Sequence, residues 1–168
     1  READPTSSRE TLEIALQMEA IVNRLFDLAR CEHDKLPVRP EPVALAALAQ
    51  EVWQPFTSKA EQKRLTVRFE VPAELRLQTD SVLLRAILGN LFSNAAEYTP
   101  SCGEVSVQLH PSGPRFTLRV ANTTDHLTSA DLPHLFERFW RKDSARSSPE
   151  HCGLGLAVSK AFARQLGC

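Results

Sequence analysis

Asn90 and Asn94 stand four residues apart in an otherwise apolar stretch, "LLRAILGNLFSNAAEYTP". Asparagine is a mediocre helix former, because its side chain competes for backbone hydrogen bonds. At about 100° per residue, Leu84, Leu88, Leu91 and Ala95 share one helix face. Asn90 and Asn94 lie together on its shoulder, with Glu97 on their side. A carboxamide oxygen can ligate Mg²⁺ without adding negative charge, and its NH₂ can donate to a phosphate. That chemistry suits a polyphosphate. From the helix alone, the alternative is that both amides face solvent or cap a neighbouring backbone.

A second chemical feature is Gly153-x-Gly155, which opens the amphipathic run "LGLAVSKAFARQLG". Glycines permit a tight turn and close approach of backbone to ligand. The free N–H groups at a helix start favour anions. It lacks the GK[ST] ending of a Walker loop, and a polar stretch, not a strand, precedes it, so it is no dinucleotide fingerprint. Taken alone, such a pair of glycines more commonly marks a tight helix start with no ligand.

The elements that must position these groups follow from periodicity. Arg9 to about His33 reads as one long helix with a wide apolar stripe that needs a partner. Three prolines between His33 and Val43 end it and predict an extended connector. A helix over about Leu45–Lys63 follows, with Leu45, Leu48, Ala49, Val52 and Phe56 inward and Pro55 placed to kink or interrupt it. Leu65–Pro72 alternates as a strand. Asp80 is placed to cap the asparagine helix, which ends at Thr99-Pro100. Glu104–His110 and Arg115–Ala121 read as two strands joined by a Pro-Ser-Gly-Pro turn. A short helical piece near Ala130–Phe136, a Ser-rich polar run and a helix over Leu154–Leu166 complete the chain. A helix between strands, with an antiparallel hairpin, predicts an α+β fold of two layers.

Composition narrows the classes. With 168 residues, 42% hydrophobic, the chain can build one domain core plus an extra element. A formal net charge of −1 gives no global attraction to nucleic acid. No apolar run approaches the roughly 20 residues of a membrane span. Cys31, Cys102, Cys152 and Cys168 are far apart and match no zinc spacing, which predicts free thiols.

Three segments in order, "NLFSNAAEYTP", "LFERFWRKD" and "GLGLAVSKAFARQLG", resemble the ATP-binding catalytic part of bacterial sensor histidine kinases. That superfamily also holds DNA gyrase and a heat-shock chaperone. Asn90–Thr99 resembles its N box, Phe136–Arg141 its F box and Gly153–Leu156 its second glycine box. The segment "VNRLFDLARCE" resembles the second helix of the dimerisation hairpin.

The resemblance implies a Bergerat-type α/β sandwich over residues 37–168, preceded by that partial hairpin over 1–36. It implies ATP with Mg²⁺ bound between the asparagine helix and a lid over about Arg141–Cys152. Asn90 would ligate the metal, Asn94 would help to hold the phosphates, and Tyr98 would lie near the nucleotide. Arg138, Arg141 and Lys142 would offset phosphate charge. The backbone at Gly153, Leu154, Gly155 and Leu156 would cradle the phosphate tail. The reaction would be transfer of the γ-phosphoryl to a histidine, and thence to a response regulator.

The chain departs from the family at three places. Asn122 stands where an Asp binds the adenine amine, and Thr124 and His126 replace the glycines that follow. His151 replaces the first glycine of the second box. Glu97 brings negative charge where Lys or Arg often helps with phosphate. Ala86 occupies the position of the water-activating Glu of gyrase-like relatives, which favours transfer over hydrolysis. The degenerate first glycine box leaves an alternative: a pseudokinase serving as a docking module. A helical dimerisation scaffold is a third reading.

None of His33, His110, His126, His134 and His151 lies in the setting that marks the family's phosphate acceptor. The acceptor is therefore expected upstream of Arg1, and a final pair of strands beyond Cys168. By the resemblance, the parent protein is a dimer anchored in the inner membrane, with this part in the cytoplasm.

Overall fold

The computed structural model describes residues 5–33, 37–112, 115–142 and 152–168. Most of the expected lid, with His151, and the tip of the hairpin at 113–114 lie outside the described residues.

Helix α1 spans Pro5–His33. Strand β1 (Glu41–Ala44) leads into α2 (Leu45–Trp53), a 3-10 turn (Gln54–Phe56) and α3 (Thr57–Gln62). Pro55 lies within that turn and divides the expected single helix, since proline lacks the N–H that a continuous helix requires. Strands β2 (Thr66–Glu70) and β3 (Arg76–Thr79) precede α4 (Ser81–Tyr98). The hairpin is β4 (Glu104–Ser112) with β5 (Arg115–Asn122), and α5 spans Gly155–Gln165. Near Ala130–Phe136 the expected short helix is only a 3-10 turn at Leu132–His134, with a proline inside it.

The main sheet has the order β2-β4-β5, with β2 parallel to β4 and β4 antiparallel to β5. Val67 and Phe69 of β2 alternate inward with the register Val67↔Val105 and Phe69↔Val107. Beneath that face, Phe92 and Leu88 of α4 are fully buried with Val105 and Val107. Trp53 of α2 meets Phe92 edge-on, with ring centroids 5.4 Å apart. This is a two-layer α+β sandwich.

Two elements escaped the sequence reading. The proline-rich connector contains β1, which pairs antiparallel with the unexpected β3 in a separate two-stranded sheet. Both strands are only four residues long. Of the inward face expected for α4, Leu88 and Ala95 are buried and Leu84 packs against the same core, whereas Leu91 lies outside it. Leu83, Leu88, Phe92, Ala95 and Ala96 are buried, whereas Leu84 and Leu91 are partly buried. The helix is covered by the α2 and sheet core on one side and by α5 on the other, so a single stripe does not describe it.

Both ends of α4 are held. Asp80 Oδ1 accepts from the N–H groups of Val82 and Leu83, both at 3.0 Å. At the C-terminus, Lys63 Nζ donates to the carbonyls of Ala96 and Thr99 at 3.0 Å, and to that of Glu97. A cation there satisfies orphan carbonyls and opposes the negative end of the helix dipole. The second face of α4 meets α5 and the later half of α1, where Leu28, Leu83, Leu154, Val158 and Phe162 form a separate buried cluster.

Candidate functional site

Between α4 and the start of α5 lies a cleft of about 670 Å³. Asn90 and Asn94 both line it, along with Ser93 and Tyr98 on the same helix edge. The amides are thus neither fully solvated nor spent inside the core. Leu91, expected inward, lines this cleft as well.

The glycine turn faces the amides directly. A Cβ built on Gly155 would lie 3.3 Å from Asn90 Oδ1, so glycine is what leaves that oxygen its room. Gly153, Gly155 and Leu156 line the cleft. Leu154, by contrast, buries its side chain completely in the α1–α5 cluster, so that only its backbone is available at the turn. Helix α5 begins at Gly155, and its first N–H groups have no intrahelical acceptor.

A backbone latch joins the second and third motifs. The N–H of Phe139 donates to Gly153 O at 3.0 Å. Gly153 has φ +73°, and a Cβ there would stand 2.7 Å from Phe139 C. Phe139 itself takes φ 63°, a rarely used conformation for an aromatic residue. Arg141 and Lys142, just past this latch, line the cleft. Lys142 pairs with Asp131, which also accepts from the Thr128 N–H and hydroxyl at 2.7 Å. Led by the Lys142 contact, these bonds lower the Asp131 carboxyl to about 2. Arg138 is exposed and does not line the cleft.

At the far wall, Asn122 ends β5, and its Nδ2 donates to Thr123 O at 3.0 Å. This leaves Oδ1 as the acceptor that the amide offers. Where glycines were expected, Thr124 Oγ1 accepts from the N–H groups of His126 and Leu127, both at 3.4 Å. The hydroxyl closes the turn locally. Among the described residues, the non-glycine positions with positive φ are Arg64, Cys102 and Phe139. Thr124 and His126 therefore fit this loop without left-handed backbone.

The expected charge conflict at Glu97 is also resolved. Its carboxylate pairs with Lys59 of α3, which the linear sequence did not place nearby. Lys63 lies at the same corner, its ammonium pushed down chiefly by burial. Among the described residues that line the cleft, Glu97 is the single carboxylate, against Arg24, Lys63, Arg141 and Lys142. Cationic side chains thus outnumber carboxylates along the described part of the wall, which suits a polyanion.

Sequence reasoning missed the lining residues Arg24 and Ser93, and gave no separate role to Trp140 and Cys152, which it placed only within the F box and at the end of the lid. Ser93 was legible in principle, lying on the amide edge one residue before Asn94. Arg24 carried no signal, because nothing local brings α1 to the cleft.

Comparison with known proteins places these features in a family. Residues 79–168 match the family described as histidine kinase-, DNA gyrase B-, and HSP90-like ATPase. The chain is 30% identical over 167 residues to the probable sensor protein PcoS of Escherichia coli, covering 96% of this chain and 35% of that protein. It is also 30% identical over 152 residues to sensor histidine kinase CusS of E. coli K12, covering 90% of this chain and 32% of that one. It thus spans about a third of these curated relatives. Among solved structures, Acinetobacter baumannii histidine kinase AdeS is similar in fold, with TM-score 0.80, 19% identity, and coverage of 98% of this chain and 76% of that one. Mycobacterial sensor histidine kinase MprB is similar with TM-score 0.64 and 27% identity, over 76% and 82% of the two chains.

Proposed function

Because the chain belongs to the histidine kinase-, DNA gyrase B-, and HSP90-like ATPase family, we propose that its cleft holds ATP with Mg²⁺ and serves histidine phosphorylation in a two-component sensor kinase. The observation that carries this reading is the convergence of Asn90 and Asn94 with the Gly153–Leu156 turn on one cationic cleft.

The roles divide along the cleft. Asn90 offers its oxygen to the metal and Asn94 its amide to the phosphates. Backbone N–H groups at the start of α5 receive the phosphate tail. Arg141 and Lys142 flank it, while Asn122 and Tyr98 meet the base. Arg138, outside the wall, would need a rearrangement of its segment to join them. A divalent cation bound here supplies charge neutralisation between phosphates, and phosphoryl transfer needs little beyond that and positioning. The acceptor histidine belongs to a segment outside this chain, and the phosphoryl group passes on to a response regulator.

Residues 1–36 are the later part of a dimerisation hairpin in this reading, and 37–168 the catalytic domain. The exposed apolar residues of α1, such as Leu12, Leu16, Met18, Val22 and Phe26, support pairing with further helices. Among the described residues no helix is long and apolar enough to cross a membrane. Anchoring would fall to other segments of the parent protein.

Titration of the chain with a non-hydrolysable ATP analogue and Mg²⁺ tests this. Saturable, Mg²⁺-dependent binding is expected, lost in Asn90→Ala with little change in Tm. No saturation up to millimolar nucleotide would sink the kinase reading. It would favour the docking module suggested by the glycine-free Thr124–His126 loop.

A further inference from the structure

Among the described residues, helix α1 contributes Arg24 to the wall of the cleft. It sits there because the later half of α1 is anchored. Leu28 is buried against Leu154, Val158 and Phe162, and Gln165 Nε2 donates to Cys31 O at 3.1 Å. Arg24 is therefore carried on a packed helical turn and is itself half-buried.

Its surroundings belong to the phosphate end. Arg24 Nη1 donates to Cys152 Sγ at 3.7 Å, and Cys152 immediately precedes the Gly153-x-Gly155 turn. A second, smaller groove of about 360 Å³ is lined by Arg24, Asn90 and Ser93 as well. Arg24 thus lines both cavities together with Asn90, the amide expected to hold the metal. Asp27, one turn on, lines only the smaller groove. A thiol is a weak acceptor. Exchanging it for phosphate oxygens would give charge-assisted, bidentate bonds of the kind guanidinium makes best.

We infer that Arg24 binds the terminal phosphates of the nucleotide from outside the catalytic domain, so that a triphosphate in the cleft favours the docked position of α1. The inference rests on the cleft being a triphosphate site. A contact made only when α1 is docked gives the ligand differential affinity for that state, and the coupling is reciprocal. The state of the dimerisation helix is thereby linked to which nucleotide is present.

Calorimetry on the whole chain, with Mg²⁺-AMPPNP, Mg²⁺-ADP and adenosine as probes, tests this on the wild type, Arg24→Gln and Arg24→Lys. Arg24→Gln should weaken AMPPNP about 10-fold, weaken ADP less and leave adenosine unchanged. Arg24→Lys should fall between. Hydrogen exchange across residues 21–31 should slow on adding AMPPNP to the wild type and not to Arg24→Gln.

Equal AMPPNP affinity in the wild type and both variants overturns the inference and leaves the nucleotide site standing. So does a parallel loss of AMPPNP and adenosine, which marks a structural role. If Arg24→Gln does not fold, the ranking of the three probes on Arg24→Lys and the wild-type exchange pattern decide the matter alone. A wild type that binds none of the probes overturns both this and the proposed function.

Discussion

Asn90 Oδ1 faces Gly155 across the cleft, 3.3 Å from where a Cβ on that glycine would stand. The two residues are 65 positions apart, on different helices, and each needs the other's shape. Gly155→Ala should therefore separate stability from function. Gly155 opens α5, where helix propensity counts for less than in an interior, so Tm should change little. The methyl must displace the amide by a few tenths of an ångström. Mg²⁺-dependent nucleotide affinity should fall about 10-fold, corresponding to loss of one well-placed contact. Unchanged affinity would show that the amide oxygen is not used.

Gly153→Ala should behave oppositely, as a stability mutant. Its φ of +73° disfavours any side chain, and the added carbon would meet Phe139 backbone at 2.7 Å. We expect a loss of about 2 kcal/mol or more in urea denaturation, from strain plus the broken Phe139–Gly153 latch. A loss below about 0.5 kcal/mol would mean that the latch is optional.

Asp80 couples the entrance of α4 to the connector. Besides capping α4, it accepts the Arg39 N–H on Oδ2 at 2.9 Å. Asp80→Ala should cost about 1–2 kcal/mol, the upper range for a lost cap. The Arg39 bond first, then those from Leu83 and Val82, hold the carboxyl below its ordinary 3.8 against burial. A lowered folded value means that the stabilisation is complete above about pH 4 and is lost as pH falls through the folded value. Asp80→Asn should keep much of the cap and flatten the acid limb of the stability curve. An unchanged acid limb would remove Asp80 as its source.

Lys63 ties the other end of α4 to the corner beneath β2. Lys63→Met keeps the apolar stem and removes the donor to three carbonyls. The cost should be about 1 kcal/mol, since the site is partly solvated and the carbonyls can recruit water. Chemical denaturation measures it. Faster amide exchange at Thr99 than in the wild type should accompany the loss.

How much of this was legible beforehand varies with how local each cause is. Asp80, Pro55 and the alternation of Val67 and Phe69 act within a few residues, and their effects followed from residue type. The strands β1 and β3 are four residues each, too short for a periodic signal, and exist only as each other's partner. The inward face expected for α4 captures Leu84, Leu88 and Ala95 but not the second buried face, because two different cores cover the helix and hydrophobic periodicity reports one. Glu97 looked like an electrostatic fault until Lys59 arrived from α3.

By itself, then, the sequence determined which groups could do chemistry. Two neutral amides share a helix edge, a pair of glycines opens another helix, and the order of motifs identifies the family. Those are properties of residue type and short-range spacing, which chain geometry transmits directly. Only the tertiary structure decided what these groups face. It set Gly155 against Asn90, Lys59 against Glu97, Phe139 against Gly153 and Arg24 of α1 into the cleft wall. Such pairings depend on how separate elements bury their apolar faces together, and burial is non-directional, so no single segment records its partner.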